Sequence, residues 1–193
     1  MRSLAALLLL ALAAPPAAAD AVTEPRSGTE FPARVLAAAG ADTVALEALG
    51  TGLRTKWRVK VYAACLYVAE GADLGEDRHA ALIHGDAPRR IVMHFLRGVG
   101  AGKVAGAFRD GIRKTLREGH DEAVDAFCGL FAEDLREGEE IVLTQLPGAG
   151  LVVERSGTRL GAVADAGVVA AVWATWFGDD PISGDMKRRL AGL

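Results

Sequence analysis

The sequence is short of the features on which reactive chemistry is usually built. It has only two cysteines in 193 residues, Cys65 and Cys128, and neither stands at a metal-ligand spacing from a histidine. The four histidines, His79, His84, His94 and His120, show no ligand spacing of their own, so no structural metal is expected. There is no G-x-S-x-G elbow, and Ser27, Ser156 and Ser183 all fall at turn-like positions, which leaves a serine hydrolase without support. The cluster Gly98-Val99-Gly100-Ala101-Gly102-Lys103 invites a phosphate-loop reading, but Arg97 and Val104 occupy the places that need glycine and a hydroxyl residue. Its glycines read instead as a strand-to-helix connection whose free N–H groups could face an anion. A basic excess is missing too: the formal charge is −3, which argues against a nucleic-acid partner. No cofactor is implied.

Long apolar runs are confined to the start. Met1-Arg2, the apolar Leu4 to Ala14, Pro15-Pro16 and Ala17-Ala18-Ala19 have the order of a signal peptide: charged end, short apolar core, small-residue cleavage site. Residues 1–19 are therefore expected to be removed on export, to the periplasm if the source is Gram-negative. Residues 20–193 suit a single domain, since domains commonly run to about 100–200 residues. No later run is long and uncharged enough to span a bilayer. An exported chain could pair Cys65 with Cys128. Both also sit among apolar neighbours, where a free thiol packs as a small hydrophobe, and the sequence leaves that choice open.

What is present reads as alternating strands interrupted by helices. Asp20 to Thr29 is polar and expected to wrap loosely. Phe31 to Ala38 and Thr43 to Leu49 predict two strands around a Gly40-Ala41-Asp42 turn. Arg89 to Leu96 alternates Ile91, Met93 and Phe95 against Val92, His94 and Leu96, which predicts a strand buried on both faces. Helical spacing recurs at Val104, Phe108 and Ile112, then at Ala123, Phe127 and Phe131, with Gly119 between. A meander follows over Glu140 to Ala162. Apolar residues then cover most of the circumference of a helix from Asp165 to Phe177, so it is expected to be deeply buried. Ser183 can cap a last short helix.

The stretch Gly50 to Val68, GTGLRTKWRVKVYAACLYV, holds the candidate binding chemistry. Gly50 and Gly52 punctuate a turn-prone region, and Arg54 stands between apolar segments although its guanidinium cannot shed its proton. Such a group needs an anion or a set of acceptors. A bland alternative pairs it with Glu47 or stacks it on Trp57. Were the strand continuous, Arg54 and Tyr62 would be far apart. Were the chain to double back near Lys56 to Arg58, they would face each other. The turn has no Asn-Gly chemistry to favour the second geometry. His94 is a further candidate for lining a cleft.

Three runs carry a resemblance: GLRTKWRVKVYAACLYV, RIVMHFLRGVGAGKVAGAFRDGI and WATWFGDDPIS. With them the chain resembles the chalcone isomerase-like proteins, and in particular their bacterial exported members, from about Phe31 to Leu193. The resemblance implies an α+β fold, an open-faced β-sandwich whose large antiparallel sheet is covered by helices, and it implies the hairpin. It also implies that Arg54 matches an arginine that binds the substrate oxyanion in plant isomerases. With Tyr62, Arg54 further resembles the pair that holds a carboxylate in the fatty-acid-binding branch. The isomerases' remaining polar contacts fall here on about Gly100, Ala107 and Val169. The expectation is thus a binding protein for a fatty acid or similar small apolar acid, with Arg54, Tyr62 and His94 as ligand-binding residues. The alternatives are an isomerase acting on a chalcone-like enone through Arg54, and a structural or partner-binding protein without ligand.

Overall fold

The computed structural model describes residues 20–39, 42–116 and 118–193. The expected signal peptide and residues 40 and 41 of the expected turn lie outside them. A two-stranded sheet, β1 (Ala21–Glu24) and β2 (Thr29–Pro32), precedes seven strands that pair antiparallel in sequence order. These are β3 (Arg34–Ala39), β4 (Asp42–Lys56), β5 (Val59–Ala69), β6 (Arg89–Phe95), β7 (Glu140–Leu146), β8 (Gly150–Arg155) and β9 (Thr158–Val163). Five helices are α1 (Arg78–His84), α2 (Ala101–Thr115), α3 (Asp121–Gly129), α4 (Ala166–Phe177) and α5 (Gly184–Leu190). None of them is long and apolar enough to cross a membrane.

Strand parity sorts the core into two layers. Tyr62, Ala64, Leu66, Ile91, Met93, Phe95, Ile141 and Leu143 turn to the helices, while Leu46, Leu53, Ala63, Cys65 and Tyr67 turn to the other face beside Phe31. Side chains two apart share a face of a strand, which gives these assignments within each strand except in β4, where a bulge between Ala48 and Gly50 shifts the parity so that Leu46 and Leu53, seven residues apart, share a face. Strand β6 shows the expected alternation, but burial is confined to one face, Arg89, Ile91, Met93 and Phe95; the opposite face, with His94, is partly open. Cys65 and Cys128 belong to different layers and are free thiols.

Helix α4 carries the helix-side core. The Asp165 carboxylate accepts from Val168 N at 2.9 Å, and the chain leaves the helix at Gly178. Val168, Val172 and Phe177 are almost wholly buried, worth about 1.5–3 kcal/mol each by transfer from water. Gly111 of α2 lets α4 approach, because a Cβ there would lie 2.7 Å from Thr175 Oγ1. Arg89 is also buried against α4, 5.0 Å from the Trp173 ring, and donates to the carbonyls of Ile83, Gly85 and Ala87. Burial pushes its guanidinium down to about 10, so it stays charged at neutral pH and terminates α1.

Two local expectations are corrected. The segment after residue 20 does not wrap loosely. Glu24 is buried and accepts from Ser27 N and Ser27 Oγ at 2.7 Å each, which closes the β1–β2 turn, and Tyr67 OH donates to Pro32 O at 2.9 Å. Gly50 and Gly52 are not in a turn either. They lie inside the fifteen-residue β4 under α5, where a Cβ on Gly50 would meet the Arg189 carbonyl oxygen at 2.0 Å.

Candidate functional site

The chain doubles back at Trp57-Arg58, and β4 and β5 pair with Arg54 opposite Tyr62. Both turn residues have positive φ, 49° and 68°, the geometry of a type I′ hairpin, which normally calls for Asn-Gly. The geometry left open by the local sequence is therefore settled as a hairpin, and tertiary pairing overrides the poor turn chemistry. Next in the row comes Phe95, which pairs with Tyr62 and lies 5.5 Å from it ring to ring.

Tyr62 is 7% exposed. Its hydroxyl oxygen accepts from Trp176 Nε1 at 3.2 Å, and among the described residues nothing takes the hydroxyl's own proton. Burial pushes the phenol's pKa up, opposed by the Trp176 hydrogen bond and by the charge of Arg54. The group is thus a neutral donor with one vacant direction.

Arg54 is partly buried and donates from Nη1 to Thr55 O at 2.9 Å. Arg26, Arg34, Arg109 and Arg155 all hold carboxylates, whereas among the described residues Arg54 holds none. The two bland partners are already engaged. Glu47 receives Arg34 at 3.1 Å, and the Trp57 ring carries Lys56 Nζ at 5.3 Å.

His94 is not brought to this pair. It is opposite Ala63, on the other face of the sheet, with its side chain 30% exposed and Nδ1 3.3 Å from Glu140 Oε1. The start of α2 does face an anion, but an internal one: Ala101 N donates to Asp134 Oδ1 at 2.8 Å. Of the three positions where isomerases are polar, Gly100 caps α2, Ala107 is exposed, and Val169 is buried among apolar side chains. Trp176 was missed as a site residue. The available signal was its indole N–H, which needs an acceptor wherever the ring is buried.

A cavity of about 480 Å³ opens two strands along from Tyr62, a displacement of about 10 Å. Val104, Phe131, Leu135 and Ile141 form its apolar wall, and Arg136, Glu139 and Arg155 stand at its polar side. Arg54 and Tyr62 do not line it. Ile141 shares the helix-side core with Tyr62, and Phe95 stands in the strand between them. Among the described residues no cluster could hold a metal ion.

A seven-stranded sheet covered on one face by helices, with an arginine–tyrosine pair near the tip of its longest hairpin, defines a helix-covered open sandwich of the chalcone isomerase type. The chain belongs to the chalcone isomerase-like family, whose model matches residues 27–192. A fatty-acid binding protein of Arabidopsis thaliana has the same fold: TM-score 0.72 at 21% identity, over 90% of this chain and 96% of that one. No curated protein matches the sequence.

Proposed function

We propose that this protein binds a small apolar acid of the fatty-acid kind, with Arg54 receiving the carboxylate and Tyr62 donating the second hydrogen bond. The observation that carries the reading is the pair's unused chemistry, a guanidinium that among the described residues holds no carboxylate beside a buried hydroxyl whose proton finds no acceptor there. A planar guanidinium and a carboxylate form two parallel charge-assisted bonds. The fatty-acid binding protein that shares the fold lends support to this ligand class. The apolar tail is assigned to the 480 Å³ cavity on the far side of Phe95, a volume within the range of about 300–1,000 Å³ usual for small-molecule sites.

Isomerisation of an enone is the weaker reading. Gly100, Ala107 and Val169 supply no polar side chain, which leaves only Arg54 and Tyr62 to stabilise the developing oxyanion. The proposal also includes export, on the strength of residues 1–19. Solvent extraction of the purified protein followed by mass spectrometry tests the ligand class. Fatty acids carried by the native chain and depleted in Arg54→Ala are expected. Equal lipid content in the two would overturn the reading.

A further inference from the structure

We propose that the tip of the β4–β5 hairpin docks on an anionic lipid surface. Trp57 stands at the turn with 88% of its area exposed, the largest exposure among the large apolar residues described, and Val59 beside it is 43% exposed. Arg54, Lys56, Arg58 and Lys60 flank it, and no acidic residue occurs from Ala48 to Ala69. Four cations within seven residues contrast with a chain whose formal charge is −3. Leu96 N donates to Val61 O at 2.9 Å, which sets the exposed Arg97 beside the strand leaving the turn and adds a fifth cation.

Of the acids named near this end, Glu137 alone holds no cation among the described residues, and the others are engaged. Asp185 receives Arg26, Glu139 receives Arg155, and Glu140 lies against His94. The tip is therefore an aromatic ring in a field of largely uncompensated positive charge. An indole is amphipathic and settles at headgroup level, while lysine and arginine attract an anionic surface and lay their stems along the apolar boundary.

The turn's backbone supports the same conclusion. At the β8–β9 turn two positive φ values, 45° and 82°, fall on Ser156 and Gly157, small residues that suit them. At β4–β5 the two positive values fall on tryptophan and arginine, which carry a steric penalty there. Local stability has been given up where a ring and a charge are displayed, the pattern of strain held for function. This inference does not depend on a ligand at Arg54 and Tyr62.

The chain contains three tryptophans, and Trp173 and Trp176 are buried. A shift in tryptophan emission on adding vesicles thus reports Trp57. With vesicles of mixed phosphatidylglycerol and phosphatidylcholine at low salt, a blue shift and co-sedimentation are expected. Both should be lost with phosphatidylcholine alone or in high salt. Lys56→Gln/Arg58→Gln should weaken binding by roughly twenty- to thirtyfold, at about fivefold for each cation.

Trp57→Asn/Arg58→Gly installs the residues a type I′ turn favours. It should raise the melting temperature while losing the blue shift and most of the vesicle binding, so that a folding defect cannot imitate the result. No binding to anionic vesicles by the native chain would overturn the proposal, as would undiminished binding by Trp57→Asn/Arg58→Gly. Equal affinity for a single-stranded oligonucleotide, with no emission shift on vesicles, would assign the patch to polyanions in general and overturn it as well.

Discussion

At the scale of single residues, the site rests on hydrogen bonds that are only half used. Tyr62 serves Trp176 with its lone pair and keeps its proton for something else. Because burial raises the phenol's pKa, it remains a donor across the neutral range. Tyr62→Phe should act twice. It strands the Trp176 N–H in a buried site, which costs about 1–3 kcal/mol and lowers the melting temperature. It also removes a donor to the bound carboxylate and should weaken ligand about tenfold or more. Thermal melts with and without ligand separate the two effects, and an unchanged melting temperature would show that the Trp176 bond contributes nothing. His94 illustrates the limit of reading residues one at a time. Its alternation with Val92 and Leu96 was legible, but the face that alternation belongs to depends on a register the sequence does not state.

Among the elements, those with a strong period were the most legible. The helix-side stripe of α2, the all-round apolar α4 and the β7–β9 meander follow from spacing alone. Three features did not, and all are non-local. The β4–β5 hairpin turns at residues that disfavour the geometry. The role of Gly50 is set by α5, about 140 residues further along the chain. Cys65 and Cys128 are kept apart by the sheet between them. The Gly50 contact gives an element-scale prediction. Gly50→Val should displace α5, because the obstacle is backbone oxygen and cannot rotate away, and overpacking of this kind costs about 1–3 kcal/mol or more. Faster tryptic cleavage after Lys187, Arg188 and Arg189 would report the displacement. Unchanged cleavage and melting would show that α5 is not held at Gly50.

For the whole molecule, acid is the condition that reaches several parts of the fold at once. Burial raises the pKa of the Glu24 carboxyl, but hydrogen bonds from Ser27 and Arg26 outweigh it and hold the group below its ordinary 4.5. Glu139 is lowered by the Arg136 N–H and by Arg155, and Asp165 by His120 and the Val168 N–H. Groups with depressed folded values give stability that is present above their unfolded values and is lost as pH falls through the folded ones. The melting temperature should therefore hold down to about pH 4.5 and fall below it, less steeply in Glu24→Gln. A flat profile to pH 3 would contradict this. The fold class was legible from element order together with family resemblance, and the described chain bears it out. The central claim, that the Arg54–Tyr62 pair is a carboxylate anchor, is tested most directly by titrating dodecanoate and its methyl ester into native protein and Arg54→Ala by calorimetry. The account predicts that the acid binds the native chain at least about tenfold more tightly than it binds Arg54→Ala, and more tightly than the ester binds either. Equal affinity of the acid for both proteins would contradict it.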